Sequence, residues 1–285
     1  MNPYQKFVHN LAASMDDGKS WPLGGFEPAP RPEIPDNAPT ALIFSPHPDD
    51  ECIIGALPLR LLRQARMNVI NVAVTHGSTK ERRQPRLEEL RGACDYLGFG
   101  LIQTRKNGLQ KINAKTRDDD PVLWADAVDC VAGILRAEKP QLVLIPHESD
   151  WNTSHIGTHL LLVDTMKSLG NEAEWNVVET EYWAPMPFPN LVVESTEQDV
   201  TDLVTALSFH AGEVRRNPYH LSLASWMIDN VRRGGELVGS QGAAVPDFRF
   251  ATLYRLRRWR RGTWADRLDA GRFIGASDAV SKVFK

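Results

Sequence analysis

The densest chemistry in this sequence is a run of five residues, His47-Pro48-Asp49-Asp50-Glu51, preceded by Pro46. One imidazole and three carboxylates crowd a turn stiffened by proline. Clustered carboxylates repel one another and lose hydration when partly buried, so they are tolerated where a cation compensates them. His47 and Asp50 are three residues apart, and a turn can aim both at one point. A nitrogen ligand paired with an oxygen ligand suits zinc or a similar divalent ion. Asp49 would then point elsewhere, toward a water on the metal. The competing reading is local: Asp49, Asp50 and Glu51 would cap a helix beginning near Cys52, favoured by its dipole.

A second cluster runs from His147 to His159 and reads HESDWNTSHIGTH. A catalytic zinc site takes three protein ligands and keeps one position open for water. His155, at the start of a helix, completes a His47-Asp50-His155 set. His159 lies four residues on and shares the same helix face. It is the alternative ligand, or a group that supports the ligands.

These clusters need elements to carry them. Thr40–Ser45, Val69–Thr75, Leu101–Thr104, Gln141–Pro146 and Val177–Trp183 are short apolar runs that predict strands. Helical spacing marks Cys52–Arg66, Pro85–Leu97, Leu123–Ala137, His155–Leu169, Thr196–His210 and Tyr219–Arg232. Gly98 and Gly170 stand just past two of those helices. Alternating strands and helices predict an α/β fold, Rossmann-like, with a mostly parallel sheet and helices on both faces. In such sheets ligands bind beyond the carboxyl ends of the strands. Both clusters follow strands at that edge, as do His76 and the Trp183-Pro185 segment. No Gly-x-Gly-x-x-Gly follows the first strand, where the nearest glycine is Gly55, and no P-loop is present. This sets aside a nicotinamide, flavin or P-loop nucleotide site.

Residues 1–38 contain Pro22, Pro28, Pro30, Pro32, Pro35, Gly24 and Gly25. They read as a proline-rich arm without regular structure, wrapped over the surface. Residues 39–285 read as a single α/β domain ending in a helical, basic segment. The net charge of −3 gives no general attraction for nucleic acid or anionic membranes. Arg255, Arg257, Arg258, Arg260 and Arg261 are a local exception. They suit a solvated basic stretch or a subunit contact in a homo-oligomer, with Trp259 and Trp264, and less well a phosphate or membrane-surface role. Cys52, Cys94 and Cys130 are odd in number and widely spaced, which suits free buried thiols. The first residues lack a secretory pattern and no stretch approaches the roughly 20 apolar residues of a membrane span. A cytoplasmic protein is expected.

His47-Pro48-Asp49-Asp50-Glu51 after a buried strand resembles the hallmark of the LmbE-like, or PIG-L, family of metal-dependent N-acetylglucosamine deacetylases. Arg86-Leu-Glu-Glu-Leu followed by Leu97-Gly98 is similar to the family's Arg-x-x-Glu helix. Pro146 to His159 resembles its second metal motif, and Ala206–His210 a later helix in which many members carry a histidine. The resemblance spans roughly residues 40–210. It implies that His47, Asp50 and His155 bind Zn2+, or in the cell Fe2+ or Mn2+. It further implies that Asp49 is the general base, that Glu51 supports the ligands, and that Arg86 contacts the substrate or shapes its pocket.

One departure stands out. The family's second motif often reads His-Pro-Asp-His, and here Asn152 and Ser154 replace its first histidine and its aspartate. Asn152 can donate a hydrogen bond to an oxyanion but cannot carry a positive charge. His210 or His76 are the other candidates for that role. Trp151, beside the metal motif, is a candidate wall for a sugar ring, as His210 is for a substrate contact. The implied activity is removal of an acetyl, or other acyl, group from an N-acetylglucosamine-type amide. The alternatives are an amidase for another acylated amine, such as an antibiotic or a thiol-cofactor precursor, and a metal- or sugar-binding module without turnover.

Overall fold

The computed structural model describes residues 2–170, 174–242 and 244–284. In chain order, its first half comprises helix α1 (Pro3–Gly18), strand β1 (Thr40–Ser45), α2 (Asp50–Ile53), α3 (Leu57–Arg63) and β2 (Asn68–Ala73). There follow α4 (Arg83–Leu97), β3 (Gly100–Gln103), α5 (Ala114–Asp119), α6 (Pro121–Glu138), β4 (Leu142–Pro146), α7 (Thr153–Ser168) and β5 (Trp175–Thr180). The second half comprises β6 (Leu191–Ser195), α8 (Glu197–Ser208), α9 (Ala211–Val214), α10 (Leu223–Gly234), β7 (Phe250–Arg260), β8 (Thr263–Asp266) and β9 (Arg272–Ile274).

The strands form one sheet in the order β3-β2-β1-β4-β5-β7-β6-β9, with β8 paired to β7. From β3 to β5 every pairing is parallel. The mostly parallel α/β sheet expected from the alternation of elements is therefore present. Apolar clusters cover both of its faces: Ile43, Leu57, Leu90 and Leu203 belong to one, Phe44, Val131, Leu162 and Val177 to the other. The strand order reverses between β1 and β4, which makes their carboxyl ends the switch point of the sheet.

Three regions differ from the sequence-based expectation. The run Cys52–Arg66 is two helices, broken at Gly55. That glycine has φ +89°, and a Cβ there would lie 2.2 Å from the Thr252 hydroxyl. Close approach of β7 and a left-handed backbone both require glycine. Residues 3–18, expected to lack regular structure, form α1, capped by the Asn2 side chain with Pro3 in its first turn. Residues 19–39 do wrap over the body: Gly24 N–H donates to Ser208, Ala29 N–H to the Tyr96 carbonyl, and Arg31 to the Asp95 carbonyl.

The third difference is the arginine-rich segment, which is not a helical tail. It is β7, seated between β5 and β6 and antiparallel to both. Its arginines are neutralised within the chain: Arg255 and Arg257 lie 4.0 and 3.3 Å from Glu179, and Arg258 and Arg260 each 2.6 Å from Glu174. Trp259 is buried and meets Trp264 edge to face. A subunit contact built on Trp259, or a phosphate site built on these arginines, has no basis in this arrangement. Arg60 is also consumed internally; its buried guanidinium donates to the carbonyls of Glu194, Ile274, Gly275 and Asp278. Cys52 and Cys94 are buried and free, while Cys130 is half-buried. Among the described residues no helix is long and apolar enough to cross a membrane.

Candidate metal centre

The loop after β1 and the start of α7 after β4 meet at the switch point. His47 Nδ1 and His155 Nε2 lie 3.1 Å apart, and Asp50 Oδ2 is 3.6 Å from the first and 3.4 Å from the second. Tetrahedral zinc with bonds of about 2.0–2.1 Å spaces neighbouring donors by roughly 3.3 Å. The three atoms thus fit one small divalent ion. The second oxygen of the same carboxylate, Asp50 Oδ1, is buried without a hydrogen-bond partner, so the group keeps an acceptor that a cation would compensate. The His47 N–H donates to Asp50 Oδ2 at 2.8 Å and closes the turn. Asp50 and His155 are wholly buried, whereas the His47 side chain is 18% exposed, so access is from the His47 side.

Electrostatics match this geometry. Burial alone would push the Asp50 carboxyl up, but His155 and His47 outweigh it and hold it below the usual range. Burial likewise opposes charge on His155, and Asp50 and Asp150 override it. Asp150 Oδ2 faces His155 Nδ1 at 3.4 Å, on the far side of the ring from the cluster. Asp150 is fixed in turn by the N–H groups of Asn152 and Trp183. A carboxylate behind a ligand histidine orients the ring and raises its basicity.

Asp49 sits beside the ligands with φ +123°, a conformation that costs a non-glycine residue roughly 1–3 kcal/mol and persists only when surroundings impose it. Those surroundings are identifiable. Glu51 Oε2 accepts the Asp49 N–H at 3.0 Å. The Tyr219 hydroxyl donates to Asp49 Oδ2 at 2.6 Å, and Arg86 Nη2 lies 3.7 Å from the same oxygen while donating to the Pro48 carbonyl. Burial first, and the Asp50 charge second, push the Asp49 carboxyl up to about 6.

Glu51 Oε1 lies 2.7 Å from His210 Nε2 and accepts from the Cys52 thiol. Burial disfavours charge on His210, but Glu51 prevails and its pKa is raised. Glu51, Cys52 and His210 also bring ligand-type atoms together. The direct Glu51–His210 contact fills that space. Glu51 therefore braces the Asp49 backbone.

Two expected roles are corrected, those of His210 and His159. His210 is completely buried behind Glu51 and cannot touch a substrate. His159 lies one turn deeper along α7, with Nδ1 3.0 Å from the Pro146 carbonyl and 3.9 Å from Glu179, and takes no place in the donor set. Asn152 caps α7: its side-chain oxygen accepts from the Ser154 N–H, which leaves only the amide nitrogen for another partner. Trp151 is 74% exposed. His76 is buried, and burial with Arg83, Arg86 and Arg91 nearby lowers its pKa. Two residues escaped the sequence reading. Asp150 had a signal, an acid within the second cluster. Tyr219 had none, because its partner Asp49 is 170 residues away.

Residues 42–166 match the PIG-L family model, described as GlcNAc-PI de-N-acetylase. No curated protein matches the sequence. Among solved structures, N,N'-diacetylchitobiose deacetylase from Pyrococcus horikoshii is similar with TM-score 0.55 at 16% identity, over 79% of this chain and 85% of that one. The zinc-inhibited form of teicoplanin deacetylase Orf2 gives 0.57 at 14% identity, over 80% and 100%. The 4-carboxy-2-hydroxymuconate hydratase of Pseudomonas putida KT2440 gives 0.57 at 15%, over 76% and 95%. At these identities the likeness is one of fold, shared by deacetylases and a hydratase alike.

Proposed function

We propose, from the premise that residues 42–166 are a PIG-L-family region, that this chain is a metal-dependent N-deacetylase acting on an N-acetylglucosamine-type amide. The observation that carries the reading is the convergence of His47, Asp50 and His155 on one ion-sized point with Asp49 beside it. Zn2+ suits the donor set and spacing best, with Fe2+ or Mn2+ the alternatives. When bound there, such an ion supplies an acidified water and polarises the amide carbonyl.

The remaining chemistry belongs to the chain. Asp49 takes the proton from the attacking water. Its pKa of about 6 leaves it ionised at neutral pH and more basic than an ordinary carboxylate. Tyr219 and Arg86 hold Oδ2, which leaves the other carboxylate oxygen to move the proton. The Asn152 amide nitrogen is the donor we assign to the developing oxyanion. Asp49 then returns the proton to the leaving nitrogen, and acetate and a free amine depart.

A second reading has a specific observation behind it. Asn152 and Ser154 alter the second motif, and teicoplanin deacetylase shares the fold, so another acylated amine, an antibiotic included, is the alternative substrate. A binding module without turnover would have no use for a strained, desolvated Asp49. Metal content and acetate release from N-acetylglucosamine conjugates, measured for wild type and Asp49→Ala, decide between these. About one metal per chain in both proteins with release by wild type alone supports the assignment. Metal without release from any sugar conjugate overturns the sugar substrate.

A further inference from the structure

Helix α1 is amphipathic, and its apolar face is uncovered. Tyr4, Val8, Leu11 and Met15 recur at helical spacing within a face about 60° wide, with Phe7 on its flank. Lys6, Asn10 and Asp17 point the opposite way. Tyr4, Phe7, Val8 and Leu11 are nevertheless 76%, 67%, 61% and 50% exposed. Among the described residues of α1, Gly18 alone is buried, and a Cβ there would lie 2.6 Å from the Leu221 side chain. Gly18 is on the same side of the helix as the stripe. The stripe therefore starts against the body at the foot of α1 and runs out over solvent.

A lone helix of this length is marginal in water, so the stripe calls for a partner. Three features select a second copy of this chain. The spacing Tyr4-Val8-Leu11-Met15 is the alternating four-and-three seam that packs against one facing helix. Charge sets the direction. Asp16 and Asp17 stand in the last turn, the negative end of their own helix, and that turn holds no basic residue. Lys19, just beyond it, meets Asp16 at 2.7 Å. A parallel copy would stack these acids against their own counterparts, whereas an antiparallel copy lays its positive N-terminal end beside them. Area is the third feature. With about 150–250 Å² for an aromatic side chain, Tyr4, Phe7, Val8 and Leu11 expose on the order of 500 Å², so two copies reach the ~1,000 Å² of a small specific interface. A membrane surface suits the helix less well, because Lys6 is its only basic anchor and Asp16 and Asp17 oppose it.

We infer that α1 is a dimerisation arm: two copies of the chain pair antiparallel through α1 about a two-fold axis. Tyr4 of each copy packs against Met15 of the other, and Val8 against Leu11. Tyr4 thereby reaches the foot of the other arm, where Trp21 is 56% exposed. Such a contact is isologous, the same patch serving both sides. Its small area makes the dimer a weak one, formed in the micromolar range. The inference is independent of the deacetylase reading.

Sedimentation velocity of the full chain at roughly 1 and 100 μM should show monomer giving way to dimer. Val8→Glu with Leu11→Glu puts charges into the seam at exposed positions, so the fold is kept, which circular dichroism checks. Association of that variant should weaken at least about tenfold. Direction is read by oxidising Tyr4→Cys and Met15→Cys chains, mixed and separately, against wild type as the control for Cys130. The mixture should yield the mixed disulfide. Tyr4→Cys alone should stay unlinked, since its two copies stand roughly 16 Å apart along the helices. A disulfide between two Tyr4→Cys chains overturns the antiparallel pairing. A dimer that survives Val8→Glu with Leu11→Glu overturns the role of α1. A chain monomeric at both concentrations overturns the dimer, and flotation of that monomer with phosphatidylcholine–phosphatidylglycerol vesicles would make α1 a lipid anchor instead.

Discussion

The two halves of the sheet contribute to the centre in different ways. The parallel half, β1 to β5, supplies every proposed ligand from strand ends, and the residues involved are close in sequence to those ends. The mixed half, residues 181–284, supplies no ligand. It supplies the groups that hold the others: His210 behind Glu51, Tyr219 on Asp49, and the Trp183 N–H on Asp150. The first half can therefore be recognised from short motifs, whereas the second acts only through the folded arrangement. The family match, residues 42–166, falls wholly within the first.

If the division is real, damage in the two halves should look different. The largest effect belongs to the ligand half. His155→Ala should lose the metal, measured by atomic emission after dialysis, and with it at least about 10³-fold in acetate release. Full metal retention would dissolve the proposed donor set. Next comes the brace behind Glu51. His210→Ala strands a buried carboxylate and should cost about 3–5 kcal/mol in urea unfolding. Because the folded-state pKa of His210 is raised above 6.5, its contribution is fully present below that pH and fades as pH rises through the higher folded value. Wild type should show that alkaline decline, and His210→Gln should flatten it.

Tyr219→Phe sharpens the contrast further. Metal should stay bound while kcat falls by about 10–100-fold, the loss of one hydrogen bond to a charged group. Loss of metal instead would place Tyr219 with the ligands. The acid limb of the wild-type rate should lie at or below about pH 6, where Asp49 becomes protonated and can no longer act as a base. The smallest effect is expected at Arg260→Ala. Its pairing with Glu174 is solvent-exposed, and the melting temperature should not move.

The same division explains what could be read in advance. His47 to Glu51 announce themselves because five adjacent residues already crowd the chemistry, and a parallel α/β sheet fixes where that turn must lie. Gly98 ended α4 as its position predicted, with φ +88°. Tyr219 was indistinguishable from any residue at the start of a helix, since nothing near it in sequence records the contact with Asp49. His210 was visible as a histidine at a helix end, but its direction was not: burial behind Glu51 is a property of how α8 packs. The arginines of β7 misled for a related reason. A basic run looks solvated until the strand is paired and Glu174 and Glu179 are brought alongside.

The place of β7 in the sheet also orders events in time. Among the described residues β6 pairs with β7 and β9 alone, both of which come later in the chain. During synthesis the strand at 191–195 must wait, unpaired, until the strand at 250–260 has emerged. The parallel half meets no such delay, because β1, β2, β3 and β4 find one another as they appear. Long-range pairings of this kind form slowly, since the intervening loop must close before any contact rewards it. A growing chain can thus assemble the end of the sheet that carries the metal ligands first. Tyr219, though made before β7, can settle against Asp49 only as the late half closes.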